Sequence, residues 1–197
     1  MGENGSVETA IPLAFTASWA SGINPYLLVL MMGLLGRFAG VDVPPAFERV
    51  DVLLVFAVLT VVDAVADKIM LVDSGWDALN TVIRPVAGGV IATLIASPYV
   101  DLPSAAIAAA GGAVALVTHL AKATTRLAVN TSPEPASNVG VSLLEDAAVS
   151  GVVIVAVLNP WVAAVIAGVL LVTAVVVALA LGTAVRGGWR RLTGSRA

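Results

Sequence analysis

Two stretches of the chain carry charged residues at the same helical spacing but with opposite signs. Thr60, Asp63 and Asp67 in the first fall where His119, Lys122 and Arg126 fall in the second, at an offset of 122 − 63 = 59. Both triples follow i, i+3, i+7, so each forms one stripe along a helix. Further on the offset becomes 145 − 84 = 61, and Asp77, Thr81, Arg84 and Gly88 match Asn138, Ser142, Glu145 and Val149. These charges lie in or beside apolar runs. A lone charge at the centre of a spanning helix costs about 2.5–3.5 kcal/mol on insertion scales, so partners are expected. The candidate pairs are Arg84 with Asp63 or Glu145, and Lys122 or Arg126 with Glu145 or Asp146. Such pairs either neutralise one another and fix helix register or hold a ligand.

The count of charges favours a ligand. The bases of this region are Lys68, Arg84, Lys122 and Arg126; the acids are Asp63, Asp67, Asp73, Asp77, Glu134, Glu145 and Asp146. Surplus carboxylates at the mouth of a bundle attract cations or hold protons. With Asn130, Asn138 and Ser142 they form an oxygen-rich set suited to Mg, Ca or Na. No other cofactor motif is identified. The plainer alternative makes Asp73, Asp77 and Glu134 solvated loop residues that cap helix starts, as Asp73-Ser74-Gly75 before an apolar run would. His119 is the only histidine, and one helical turn from Lys122 it reads as a hydrogen-bonded core residue rather than a base.

The elements that must position these residues are membrane helices. Of 197 residues 59% are hydrophobic and only 12% charged, with mean hydropathy +1.00. That is about half the charge of an ordinary soluble domain. The apolar runs are too many for one buried core and read as spans of roughly 20 residues each. Six helices are expected, over 11–38, 47–68, 76–97, 104–126, 138–158 and 161–186. The first is broken near Gly22 and Pro25. It either lines a cavity at membrane depth or is a short interfacial helix feeding the first span.

The net charge of −3 and the absence of a basic stripe give no case for nucleic acid. The absence of cysteine removes disulfides and thiolate chemistry. The acidic start, Met1 to Glu8, carries no Lys or Arg before the first apolar run, the wrong polarity for a secretory signal peptide, so the first hydrophobic segment is expected to be retained behind a cytoplasmic segment of residues 1–10. With six crossings both termini share a face. That face then holds Lys68, Lys122, Arg126, Arg186, Arg190, Arg191 and Arg196, against only Arg37 and Arg49 opposite. The imbalance places both termini in the cytoplasm. Residues 187–197 form a basic tail that suits anionic lipid.

Residues 11–186 read as one transmembrane domain containing a parallel internal repeat of two-helix hairpins, repeat A over 41–99 and repeat B over 100–161. Val41-Asp42-Val43-Pro44 resembles Val100-Asp101-Leu102-Pro103, and Pro98-Tyr99 and Pro160-Trp161 close the two copies. Gly36-x-x-x-Gly40, Ala108-x-x-x-Gly112 and Ala164-x-x-x-Gly168 permit close helix contact, within the chain or in a homo-oligomer.

Ala66-Asp67-Lys68, Val72-Asp73-Ser74, Asp77, Arg84-Pro85 and Gly88 form a first signature. Lys122, Arg126, Asn130, Ser132-Pro133-Glu134-Pro135, Ser137-Asn138, Ser142 and Glu145-Asp146 form a second. Together they resemble the domain-of-unknown-function family 4126, over roughly Ile11 to Leu181 and without departure at these positions. The resemblance implies a multi-pass protein of the bacterial inner membrane with no established activity.

Transport or permeation is the function expected first, moving an ion, a small solute or a charged lipid headgroup through the charged cluster. The residues assigned to it are Asp63, Asp67, Lys68, Asp73, Asp77, Arg84, Lys122, Arg126, Asn130, Glu134, Asn138, Ser142, Glu145 and Asp146. The partners are the bilayer itself and a headgroup or ion. The alternatives are a membrane scaffold and, less favoured, an intramembrane lipid-modifying enzyme. No His-Glu-x-x-His or Gly-x-Ser-x-Gly motif is present.

Overall fold

The computed structural model describes residues 6–67, 69–130 and 135–194, with the side chains at 70, 71, 73, 74, 128–130, 135–138 and 184–194 left aside. It holds seven α-helices and one 3₁₀ turn, with no strand among the described residues. The helices are α1 (Val7–Ile23), α2 (Pro25–Ala39), α3 (Val50–Ala66), α4 (Met70–Ala96), α5 (Ser104–Asn130), α6 (Pro135–Leu158) and α7 (Pro160–Gly194). Four stretches, Gly75–Ala96, Ser104–Leu127, Val139–Leu158 and Pro160–Thr183, are long and apolar enough to cross a bilayer. The 17-residue α3 runs beside them.

The first hydrophobic segment breaks where its sequence directs. Asn24 leaves helical geometry at φ −152°, ψ 89°, and its Oδ1 accepts from the Leu27 N–H at 3.0 Å. Pro25 then starts α2 at the position where a missing N–H costs nothing. Neighbour contacts show that the chain reverses here. Ser18 lies against Gly111, which also meets Ala92, and Gly22 lies against Ala115 and Thr118. So α1 runs parallel to α5 and antiparallel to α4. At the start of α2, Tyr26 meets Asn80, Phe56 and Trp76; further along, Gly33 meets Phe47 and Leu53. So α2 runs back beside α3, and α1–α2 is a re-entrant hairpin with its tip at Asn24.

This corrects two expectations. The broken segment is not an interfacial helix, because α1 is buried from Trp19 to Ile23 and packs against α4, α5, α6 and α7. Nor does it run on as one bent helix, since α2 returns beside α3 toward the face where α1 begins. The helical body therefore begins on the face where α4 ends and finishes on the face where α4 begins, so the two ends lie on opposite sides. Counting the segment as one span hid this, since its length suits a bent crossing as well as a hairpin.

A second correction concerns the start of α4. Asp73, Ser74 and Gly75, read as capping residues, lie inside the helix, which begins at Met70. The α3–α4 connection shrinks to three residues. Asp77 consequently sits well within the helix and is buried, not solvated.

Small residues bring α4 and α5 together. A methyl on Gly111 would lie 2.8 Å from the Gly88 carbonyl oxygen, and one on Gly89 would lie 2.7 Å from that of Ala108. A glycine–glycine and a glycine–alanine contact thus let the backbones touch, the usual device where lipid supplies no hydrophobic drive between helices. Arg84 lies one turn before Gly88, and His119 two turns after Gly111. The crossing sets these two side chains against each other.

Candidate functional site

The charged stripes of α3 and α5 face each other beneath the hairpin tip, and α4 and α6 add their charges from either side. Two centres result. In the first, Arg84 is fully buried and ties three helices together. Its Nη2 donates to Asp63 Oδ1 at 3.3 Å, and its Nη1 reaches Asp77 Oδ1 at 3.5 Å and His119 Nδ1 at 3.0 Å. Trp76 Nε1 donates to the same Asp63 oxygen at 2.6 Å. A guanidinium can only donate, so His119 Nδ1 must accept. The imidazole is therefore neutral with its hydrogen on Nε2, which donates to Thr81 Oγ1 at 3.0 Å. The Thr81 hydroxyl passes its own hydrogen to the Asp77 carbonyl at 2.9 Å.

The second centre surrounds Asp67, the last charge of the α3 stripe. Its Oδ2 accepts from Lys122 Nζ at 2.9 Å and from Arg126 Nη2 at 2.9 Å, and its carbonyl accepts from Arg126 Nη1 at 2.9 Å. Glu145 Oε2 lies 2.6 Å from Arg126 Nη2 and 3.3 Å from Lys122 Nζ. Lys122 also donates to the carbonyl of Ile23, the last residue of α1, at 3.2 Å. Asn24 Nδ2 donates to Asp146 Oδ1 at 3.1 Å. The hairpin tip is thus held by both signs, a cation on the negative end of α1 and a carboxylate, through Asn24, near the positive end of α2.

The cluster gathers nine of the residues singled out from the sequence: Asp63, Asp67, Asp77, Arg84, Lys122, Arg126, Ser142, Glu145 and Asp146. Lys68, Asp73, Asn130, Glu134 and Asn138 lie outside the described side chains. Of the expected pairs, Arg84–Asp63, Lys122–Glu145 and Arg126–Glu145 form. Arg84 turns to Asp77 and His119 rather than to Glu145, because the glycine crossing seats it on α5. Asp146 takes Asn24. Sequence reasoning missed Asn24, Trp76, Tyr26 and Asn80, and it did not see that Asp67 bridges two cations. Tyr26 donates to Asn80 Oδ1 at 3.1 Å beside the first centre. An asparagine before proline at the break was the available signal for the tip.

Three cations, Arg84, Lys122 and Arg126, face five carboxylates among the described residues. Five buried atoms of the cluster have no hydrogen-bond partner among the described residues: Asp63 Oδ2, Asp67 Oδ1, Asn80 Nδ2, Arg84 Nε and Ser142 Oγ. Buried polar atoms are usually paired with protein groups or ordered water. Among the described residues no group of three or more His, Cys, Asp or Glu is arranged to hold a metal ion.

A family model for a domain of unknown function, DUF4126, matches residues 11–180. The chain belongs to this family. The match takes in the re-entrant hairpin, both charge centres and most of α7, so the DUF4126 domain is the whole bundle and not one hairpin of it. No curated protein and no solved structure matches the chain.

Proposed function

We propose that this DUF4126 protein is a small transporter or channel-like protein that moves an ion, a small solute or a charged lipid headgroup through the buried cluster. The observation that carries the reading is the re-entrant hairpin ending on that cluster. Half-helices that stop inside the bilayer leave free backbone groups and dipole ends there, and transporters use these to bind charged cargo. The surplus of carboxylates over cations, with five unpartnered polar atoms, supports a centre that exchanges partners over one that only locks helices.

The basic residues fit a cytoplasmic placement of the face where α7 ends, with Arg37 and Arg49 opposite. In this reading the N-terminal end of α1 faces the other side, and the membrane is the bacterial inner membrane. A duplication is supported by charge-swapped equivalents: Arg84–Asp63 in the first hairpin and Glu145–Lys122 in the second occupy matching positions, and the two hairpins run the same way.

Enzymatic chemistry has less support. Both nitrogens of His119 are engaged, one by Arg84 and one by Thr81, so the single histidine is not poised as a base. A scaffold role draws on one observation: Gly168 on α7 has nothing within 4 Å of where a methyl would stand, leaving that small-residue motif open. Gly36 and Gly112 instead pack within the chain.

Flux decides the matter. Purified protein in sealed vesicles is expected to pass a cation or organic ion above the rate of empty vesicles. Glu145→Gln, which keeps side-chain shape, is expected to cut that flux at least tenfold while the protein still inserts and folds. Flux unchanged by Glu145→Gln rejects the cluster as the route.

A further inference from the structure

Lys122 sits where a free cation would. Its ammonium has three oxygens around it, Asp67 Oδ2 at 2.9 Å, the Ile23 carbonyl at 3.2 Å and Glu145 Oε2 at 3.3 Å. They come from three helices. Two are carboxylates and the third is the carbonyl at the negative end of a half-helix, the donor set that hard monovalent cations take in membrane proteins. Two further oxygens of the same neighbourhood are buried and unpartnered: Asp67 Oδ1, and Ser142 Oγ one turn before Glu145 on the same face of α6. Ser142 is 1% exposed. An ammonium with three hydrogens uses three acceptors; a metal ion coordinated by oxygen can use more, and the second oxygen of the Asp67 carboxylate is free to serve as one.

We propose that Asp67, Glu145 and the Ile23 carbonyl form a monovalent-cation site that the Lys122 ammonium occupies as a tethered stand-in, and that an alkali cation replaces it when the lysine side chain swings out. Charge sets the valence. Asp67 and Glu145 are balanced by Lys122 and Arg126, and Arg126 holds the same two carboxylates at 2.9 and 2.6 Å. Withdrawal of Lys122 leaves one negative charge uncompensated. A monovalent ion carries the same charge as the ammonium it replaces, so the exchange leaves the balance with Arg126 and the neighbouring Asp146 unchanged. Lysine suits the role of a removable plug, since its charge rides on a flexible four-carbon stem.

The inference rests on the reading of the cluster as a binding centre, but its test needs no flux. Lys122→Gln removes the charge and keeps most of the stem. Its thermal unfolding midpoint in detergent is followed in choline chloride, sodium chloride, potassium chloride and methylammonium chloride at equal ionic strength. The variant is expected to melt several degrees below the parent in choline. Sodium, potassium or methylammonium is expected to restore a few of those degrees saturably, while the parent responds alike to all four salts. Adding Asp67→Asn is expected to abolish the selective response. Equal response of Lys122→Gln to all four salts overturns the site. If that variant does not fold in choline, solubilisation in methylammonium is expected to recover it, and failure in every salt likewise overturns the proposal. Loss of cation response with intact flux rejects this site alone; intact response without flux rejects transport alone.

Discussion

The Arg84 centre and the Asp67 centre share the stripes of α3 and α5, yet they are built differently. Around Arg84 a single guanidinium serves two carboxylates and a neutral imidazole from three helices. Around Asp67 two cations of different kinds share the same two carboxylate oxygens, and the Glu145 side chain retains 17% exposure against 1% for Asp63. A planar fork with fixed partners resists exchange, whereas a point charge on a flexible stem permits it. The contrast separates two jobs that charged residues do in a membrane. The first centre clamps α3, α4 and α5 in register. The second, at the end of α1, is the one able to trade a partner.

The clearest way to break this contrast is to remove the clamp. Arg84→Ala leaves Asp63 and Asp77 buried without their cation and His119 without its donor. Breaking a buried pair by deleting one partner costs about 3–5 kcal/mol, and a loss of that size is expected in denaturation of the purified protein. Adding Asp63→Asn removes one stranded charge and is expected to recover part of the loss. A double variant no more stable than Arg84→Ala would mean that Arg84 acts by packing and not by charge.

Glu145→Gln tests the other half. Asp67 keeps both Lys122 and Arg126, and the amide retains an acceptor oxygen. The expected cost is that of weakened charge-assisted hydrogen bonds, about 1.5–3 kcal/mol. The order of the two effects matters more than either size. If Glu145→Gln destabilises more than Arg84→Ala, the clamp and the exchangeable centre have been assigned the wrong way round.

Much of this arrangement was legible in the sequence, for a specific reason. Charges inside apolar segments have few stable solutions, so the spacing of Asp63, Asp67, Lys122 and Arg126 announced two facing stripes before any coordinates. The helices followed from apolar length, and the break from Asn24-Pro25. What periodicity could not carry was direction. A 28-residue apolar run with a proline in the middle reads alike as one bent span or as a hairpin, and only the contacts of Ser18, Gly22 and Tyr26 tell them apart. Partner choice was hidden for a related reason. Arg84 prefers Asp77 and His119 over Glu145 because Gly88–Gly89 and Gly111–Gly112 let two backbones meet. Glycines in an alanine- and valine-rich background gave no sign of which would cross which. The capping alternative for Asp77 fails because Met70-Leu71-Val72 extends α4 upstream of the Asp-Ser-Gly that looks like its beginning.

The smallest expected effect bears on the clamp's inner wiring. His119 accepts from Arg84 through Nδ1 only if its hydrogen sits on Nε2, and Thr81 is what holds it there. Thr81→Val keeps the side-chain shape but removes that acceptor, leaving a buried N–H unmet. The cost is expected to be about 1 kcal/mol, at the low end for an unsatisfied donor, because Thr81 is open to its surroundings on one side. Nitrogen chemical shifts of the single histidine read the tautomer directly. They are expected to show a protonated Nε2 and an acceptor Nδ1 in the parent. A protonated Nδ1 in the parent would mean that Arg84 does not lean on His119. The first centre would then be an ordinary pair of salt bridges, and no more fixed than the second.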